Sequence, residues 1–207
     1  MKRKFFAAFL SLCMVMSLVP MTALAAEDTV TTSAPTASGN NFFANGTPIT
    51  ITAAKPEGGA EAELDMESTA TGSSAYISWT EDGATKYVGV SGSTASIFGG
   101  SDGRESAVSV PSTSITMTGG TVKNILGGNL GQENADQNGC SSVTGDVNIS
   151  ITGGSVTNLI YGGGENNTCV NGTVAITLKN VVLGENCYVN GGVLGHGTEG
   201  DRNIEAG

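Results

Sequence analysis

Basic residues are scarce in this 207-residue chain: nine Lys and Arg stand against 19 Asp and Glu. Three of the nine, Lys2, Arg3 and Lys4, fall in the first four positions. Without them the net charge is −13, which argues against nucleic acids and anionic membrane surfaces as partners. Helix formers such as Leu and Lys are few while Gly reaches 31, a composition that points to strands joined by glycine turns. Tryptophan occurs once, as Trp79, and histidine once, as His196. No Cys-x-x-Cys pair occurs, so a zinc site built from the cysteines and His196 has nothing to anchor it. None of the Gly-rich stretches is followed by Lys-Ser or Lys-Thr, which removes a phosphate-binding loop.

What is there begins with MKRKFF and the apolar run AAFLSLCMVMSLVP, which closes on Thr22-Ala23-Leu24-Ala25-Ala26. Positive charge, a short apolar core and small residues at the end describe a secretory signal peptide over 1–25, cleaved after Ala25. A membrane span fits less well, because Pro20 interrupts the run and no stop-transfer charges follow. Leu12 is too large for the position before Cys13 in a lipoprotein signal. The protein is therefore expected to be secreted or at a bacterial cell surface. In that setting the sequons at Asn45, Asn148, Asn166 and Asn171 carry no glycan. About 180 residues remain after cleavage, enough for one domain.

Residues 26–72 read as a flexible leader and acidic linker, in which Phe42-Phe43 is placed to dock onto the fold as an N-terminal cap. The stretch SAYISWTEDGATKYVGV alternates on both sides of Glu81-Asp82-Gly83, as a hairpin does. Repeats take over from Thr94. ITMTGGTVKNILGG, from Ile115, returns as ISITGGSVTNLIYGG, from Ile149. Ile115, Met117, Val122 and Ile125 match Ile149, Ile151, Val156 and Leu159, all at one constant offset. Ser96-Ile97-Phe98-Gly99-Gly100 echoes Asn124-Ile125-Leu126-Gly127-Gly128, and Val193-Leu194 stands beyond Leu159-Ile160 by that same constant offset. Val174, Ile176 and Leu178 match Val147, Ile149 and Ile151 at a smaller offset, so that copy has a shorter loop and a longer later part.

Within a copy the apolar residues alternate, a turn of Thr-Gly-Gly follows, then a second short strand and a glycine corner. A unit of this size cannot bury its apolar face alone, whereas stacked units share a core. The expected arrangement is a coil of parallel strands, each paired with its equivalent one turn away at about 4.8 Å. Asn124 and Asn158 occupy equivalent positions and are expected to bond along that ladder.

The TGG and YGGG phrases resemble those of right-handed parallel β-helix repeat proteins, especially adhesin-like surface proteins of bacteria. The resemblance covers roughly residues 94 to 200. It implies an all-β, single-stranded solenoid over 73–207, clearest at 113–200, short and truncated or covered at its end by another chain, since no cap is visible at 202–207. Two enzyme families share that superfold. Gly195-His196-Gly197 is similar to a motif of polygalacturonases, but the paired aspartates that protonate the leaving group and activate water are missing. Pectate lyases hold Ca²⁺ on acidic side chains and use an Arg base; here Arg104 and Arg202 both lie outside the well-matched repeats.

Asp102, Glu105, Glu133, Asp136, Glu165 and Glu185 lie singly in or near loops, where stacked oxygens offer at most weak Ca²⁺ binding. No catalytic, metal or cofactor residues are assigned. Tyr76, Trp79, Tyr87, Tyr161 and Tyr188 are the aromatics, besides Phe, that could stack on sugars, with Tyr161 in a corner. Cys140 and Cys169 precede the first strand of successive copies, so a bridge and two free thiols are both open, and Cys187 is left odd.

The function expected is a non-catalytic surface or adhesion module presenting loops to a glycan or surface protein, or self-associating through an open end. The alternatives are a polysaccharide lyase or glycoside hydrolase, and a structural stalk.

Overall fold

A computed structural model describes residues 33–67, 72–133 and 140–192. The signal peptide, Asp136, Val193-Leu194, His196 and Arg202 lie outside the described residues. Among those described there is no α-helix, and no helix long and apolar enough to cross a membrane.

Alternating apolar and polar residues set the elements. A hairpin of β1 (Thr36–Ser38) and β2 (Asn41–Phe43) precedes β3 (Ile49–Thr52) and β4 (Ala60–Glu61). The hairpin read from the sequence forms from β5 (Ala75–Glu81) and β6 (Ala84–Val90). Glu81 faces Ala84 there, and Asp82 and Gly83 between them both take positive φ, 50° and 76°. That turn suits the twist of antiparallel strands. The repeats supply β7 (Ser96–Phe98), β8 (Ser109–Val110), β9 (Thr113–Met117) and β10 (Thr121–Leu126). They continue as β11 (Ser141–Val143), β12 (Val147–Ile151), β13 (Ser155–Tyr161) and β14 (Thr168–Val170). Last come β15 (Val174–Leu178), β16 (Val182–Leu183) and β17 (Tyr188–Asn190).

Three sheets result: β1-β2-β7-β10-β13-β16 with β17 also on β13, then β8-β11-β14, then β4-β6-β5-β3-β9-β12-β15. From β8 onward the chain visits the second, third and first sheet in turn and then repeats the cycle. Each strand pairs in parallel with its equivalent in the next copy. The fold is all-β, with the repeats joined through parallel pairing.

The register agrees with the sequence reading in the third sheet and departs from it in the first. Ile149 pairs with Ile115 on one side and with Ile176 on the other, as the two offsets require. In the first sheet Val122 pairs with Val156, but Ile125 pairs with Ile160 rather than with Leu159, because a bulge intervenes. Ile160 is then fully buried, and Leu159 packs half-buried in a smaller cluster. The next partners of Leu159 and Ile160 are Tyr188 and Val189, not Val193 and Leu194. Gly162 accordingly donates to the Asn190 carbonyl at 2.8 Å, which puts Gly191, not His196, at the equivalent corner. The later part of the last copy is only slightly longer, since Val156 pairs with Leu183 and Leu159 with Tyr188.

The stretch expected as leader joins the sheets from Thr36 onward. Asn41, Phe42 and Phe43 pair in parallel with Ser96, Ile97 and Phe98. Phe42 faces the main core with Ile97, Ile125 and Ile160, packed against Val110 and Val143 of the second sheet and the isoleucines of the third. Successive residues of a strand face opposite ways, so Phe43 joins Phe98, Leu126 and Leu130 in a second cluster on the other face of the first sheet. The Phe43 and Phe98 rings stack there at 5.2 Å. Bridges from Leu130 to Asp102 and to Glu165 align the loops beside that cluster.

A glycine corner covered by the next copy leaves no room for a side chain. A Cβ on Gly127 would meet the Gly162 carbonyl oxygen and Val147 Cγ1, both closer than any real contact. Around Gly191 a Cβ would meet nothing. Gly127→Ala is expected to lose about 1–3 kcal/mol in urea denaturation, and Gly191→Ala to stay within about 0.5 kcal/mol of the parent.

Candidate binding face

The polar positions of the third sheet form the most regular array on the molecule. Ser78 pairs with Thr50, Thr50 with Thr116, Thr116 with Ser150 and Ser150 with Thr177. These five residues cross β5, β3, β9, β12 and β15, spaced about 4.8 Å apart. Their chain neighbours Ile49, Ile51, Ile115, Met117, Ile149 and Ile151 are buried, so the hydroxyl-bearing residues face away from the core. Ser114, Asn148 and Ala175 make a second row upstream on the same face.

At its β5 end the array borders a cavity of about 320 Å³, lined by Thr50, Ser78, Trp79, Thr85, Ser114 and Thr116 among others. Ser78 Oγ donates to the Thr50 carbonyl at 3.3 Å. Trp79 is 5% exposed and its ring lies 5.9 Å from that of Phe42. Its indole Nε1–H is buried with no protein acceptor, a group that ordinarily finds one. The cavity thus offers donor-acceptor hydroxyls and no charged lining residue, while the Trp79 indole points to the core side of β5.

The other aromatics are packed, with one exception. Tyr87 is buried, donates to Glu61 at 3.3 Å and lies under the Lys55 ammonium, 4.8 Å from the ring centroid. The Tyr87 hydroxyl, hydrogen-bonded to Lys55, holds that lysine's pKa above its ordinary value. Tyr76 meets Tyr87 edge-on, and corner Tyr161 packs half-buried on the second cluster. Tyr188 is 66% exposed.

The acidic residues stay apart, and among the described residues no three His, Cys, Asp or Glu side chains gather at one point. Asp102 pairs with Arg104 at 2.6 Å, and Arg104 Nη2 also donates to Ser38 Oγ at 3.0 Å, tying this loop to β1. The guanidinium's hydrogen bonds hold the Asp102 carboxyl below the usual carboxylate range despite partial burial. The Glu105 carbonyl accepts from Gln132 at 3.0 Å, Glu165 aligns with Leu130, and Glu133 and Glu185 are exposed.

Asn158 Nδ2 donates to Asn124 Oδ1 at 2.8 Å, and Asn124 Nδ2 donates to Ser96 Oγ at 2.8 Å. The expected asparagine ladder is present, and Ser96 extends it by one strand. Two further amides hold turns: Asn45, buried at positive φ, donates to the Ala34 carbonyl, and Asn129 Oδ1 accepts from the Ser101 amide. Cys140 and Cys169 come together with Sγ atoms 2.8 Å apart, whereas Cys187 packs half-buried against the core and burial raises its thiol pKa.

Sequence reasoning missed the hydroxyl ladder. Its signal lay in the skipped letters of the alternating strands, where Thr116, Ser150 and Thr177 keep the same offsets as Ile115, Ile149 and Ile176.

Replacing Asn124 with Ala removes both bonds of a half-buried amide and is expected to cost about 1–3 kcal/mol in urea denaturation. The Asp102 pair makes a smaller, pH-dependent contribution. A carboxyl whose pKa is lowered on folding stabilises above its ordinary pKa, and that stability is lost as pH falls through the lowered value. With both side chains substantially exposed, the effect is expected to stay under about 1 kcal/mol. Arg104→Ala is expected to remove it, visible as a flatter acid limb in melting temperature against pH.

Compared with known proteins, the chain matches no family model, no curated protein and no solved structure.

Proposed function

We propose that this chain is an exported, non-catalytic binding module whose hydroxyl-bearing sheet face binds a neutral glycan. Its repeats form a right-handed parallel β-helix, the hand that parallel crossovers adopt almost without exception. The secretory signal read at the N-terminus delivers it to the cell surface or medium.

The observation that carries the reading is the hydroxyl ladder from Ser78 to Thr177 beside the cavity at Trp79. A row of donor-acceptor groups at fixed spacing, on a sheet stiffened by its own core, suits a polymer that carries hydroxyls at regular intervals. Each contact is weak, and affinity comes from repetition along a preorganised surface. The surplus of acidic groups disfavours anionic polysaccharides and leaves neutral ones as the better match.

A panel of neutral and acidic polysaccharides tests this, with binding followed by the emission of Trp79, the only tryptophan. Saturable binding to a neutral polymer is expected. Thr116→Glu/Ser150→Glu, which places charge in mid-ladder, is expected to weaken it at least tenfold while circular dichroism stays unchanged. Release of shortened sugars from any polymer, or a preference for acidic polymers that survives the double substitution, would overturn the reading.

A further inference from the structure

Cys140 immediately precedes β11 and Cys169 is the middle residue of β14, the next strand of the second sheet. Ser141 pairs with Thr168, Ser142 with Cys169 and Val143 with Val170. Val143 points into the core, so Ser142 and Cys169 share the outer face, and Cys140, two positions before Ser142, lies on that side as well. Ser109 and Ser142 hydrogen-bond there at 3.0 Å, making a column of small polar groups in which Cys169 takes the next place. Both cysteines are partly accessible to solvent, and their Sγ atoms are 2.8 Å apart.

We propose that Cys140 and Cys169 are a disulfide-forming pair that staples one repeat to the next. Closing from contact to a bond of about 2.05 Å requires a shift of less than about 1 Å at atoms already facing each other. The oxidant is a small disulfide such as oxidised glutathione. One thiolate attacks it, forming a mixed disulfide and releasing one thiol. The second cysteine then attacks the mixed disulfide, forming the intramolecular bond and releasing the second thiol. Two protein thiols are oxidised and one small disulfide is reduced to two thiols, so atoms and electrons balance. Burial, and then the neighbouring Cys140 thiol, push the Cys169 thiol up to about 12.

The position of the bond gives it a purpose. It closes the loop from β11 through β12 and β13 to β14. The strands that follow are the least buried of the ladder: Val182 and Tyr188 are each 66% exposed and Val189 is 44% exposed. An element with so little burial opens first. A covalent tie at β14 stands just before those strands and limits how far their opening spreads to the preceding copy.

The test uses the full chain equilibrated in oxidised and reduced glutathione, so it does not depend on export or on glycan binding. Non-reducing peptide mapping is expected to give a Cys140–Cys169 cross-link in an intact protein lighter by two hydrogens. Reduction is expected to lower the melting temperature by about 6–16 °C, the range expected for a loop of this size. Cys140→Ser and Cys169→Ser should each abolish that difference, and Cys187→Ser should retain it. Complete alkylation of Cys140 and Cys169 after oxidation, or a cross-link that runs instead to Cys187 or Cys13, would overturn the proposal. So would a Cys140→Ser protein that keeps the full reduction-dependent shift.

Discussion

Parallel backbone pairing between a strand and its equivalent one copy later is the constraint on which every other feature depends. No single copy holds enough apolar surface to fold alone, so each gains its core by lying on the next. Pairing in register turns one buried isoleucine into a column: Ile49, Ile115 and Ile149 are all almost fully buried, and Ile176 continues the line partly covered. It turns one outward threonine into a ladder by the same means. Core and surface patterns are thus two faces of one register, and a slip by a single position would exchange them.

The register also decides where variation is allowed. The step along the chain from Ile149 to Ile176 is shorter than that from Ile115 to Ile149, yet the strands of the third sheet stay aligned throughout. The difference is absorbed between the first and second sheets, where residues 127–140 join β10 to β11 but only 162–167 join β13 to β14. The acidic residues Asp102, Glu105, Glu133 and Glu165 fall in the loops at that same corner. Some of the acidic residues thus sit at the variable corner, and neutral hydroxyls occupy a sheet face whose geometry the pairing fixes. Loop length at that corner can therefore vary without moving the hydroxyl-bearing face.

Much of this was legible in the sequence, because the third sheet keeps its apolar letters at a constant offset between its two clearest copies. The bulge after Val122 was not: Leu159 and Ile160 are both apolar, so either can be written opposite Ile125 without offending the pattern. What distinguishes them is that Thr157 and Asn158 together stand opposite Lys123 while the Asn158 amide still reaches Asn124, a geometric solution that letters do not record. The pairing of Asn41-Phe42-Phe43 with Ser96-Ile97-Phe98 was hidden for a different reason. No Thr-Gly-Gly phrase surrounds Phe42, and its partner Ile97 lies far along the chain with a hairpin between them. The cavity at Trp79 depends on that hairpin packing beside β3, a long-range event with no local signature.

Nearest-neighbour coupling links the hydroxyl-bearing face to the stability of its least buried copy. Thr177 ends the hydroxyl ladder on β15, where Leu178 is 36% exposed, whereas Ile151, its partner on β12, is fully buried. Affinity spread over a ladder requires all its strands to be in place together, so opening of β15 shortens the array before it disturbs the cavity. The proposed Cys140–Cys169 bond would span the junction before β15 and lies on a different sheet from the hydroxyls. A tie placed there lengthens the time the array stays whole without contributing any atom to the contact surface. The hydroxyl ladder and the facing cysteines are thereby separated between two sheets, so a tie between copies at the second leaves the exposed face of the third unaltered.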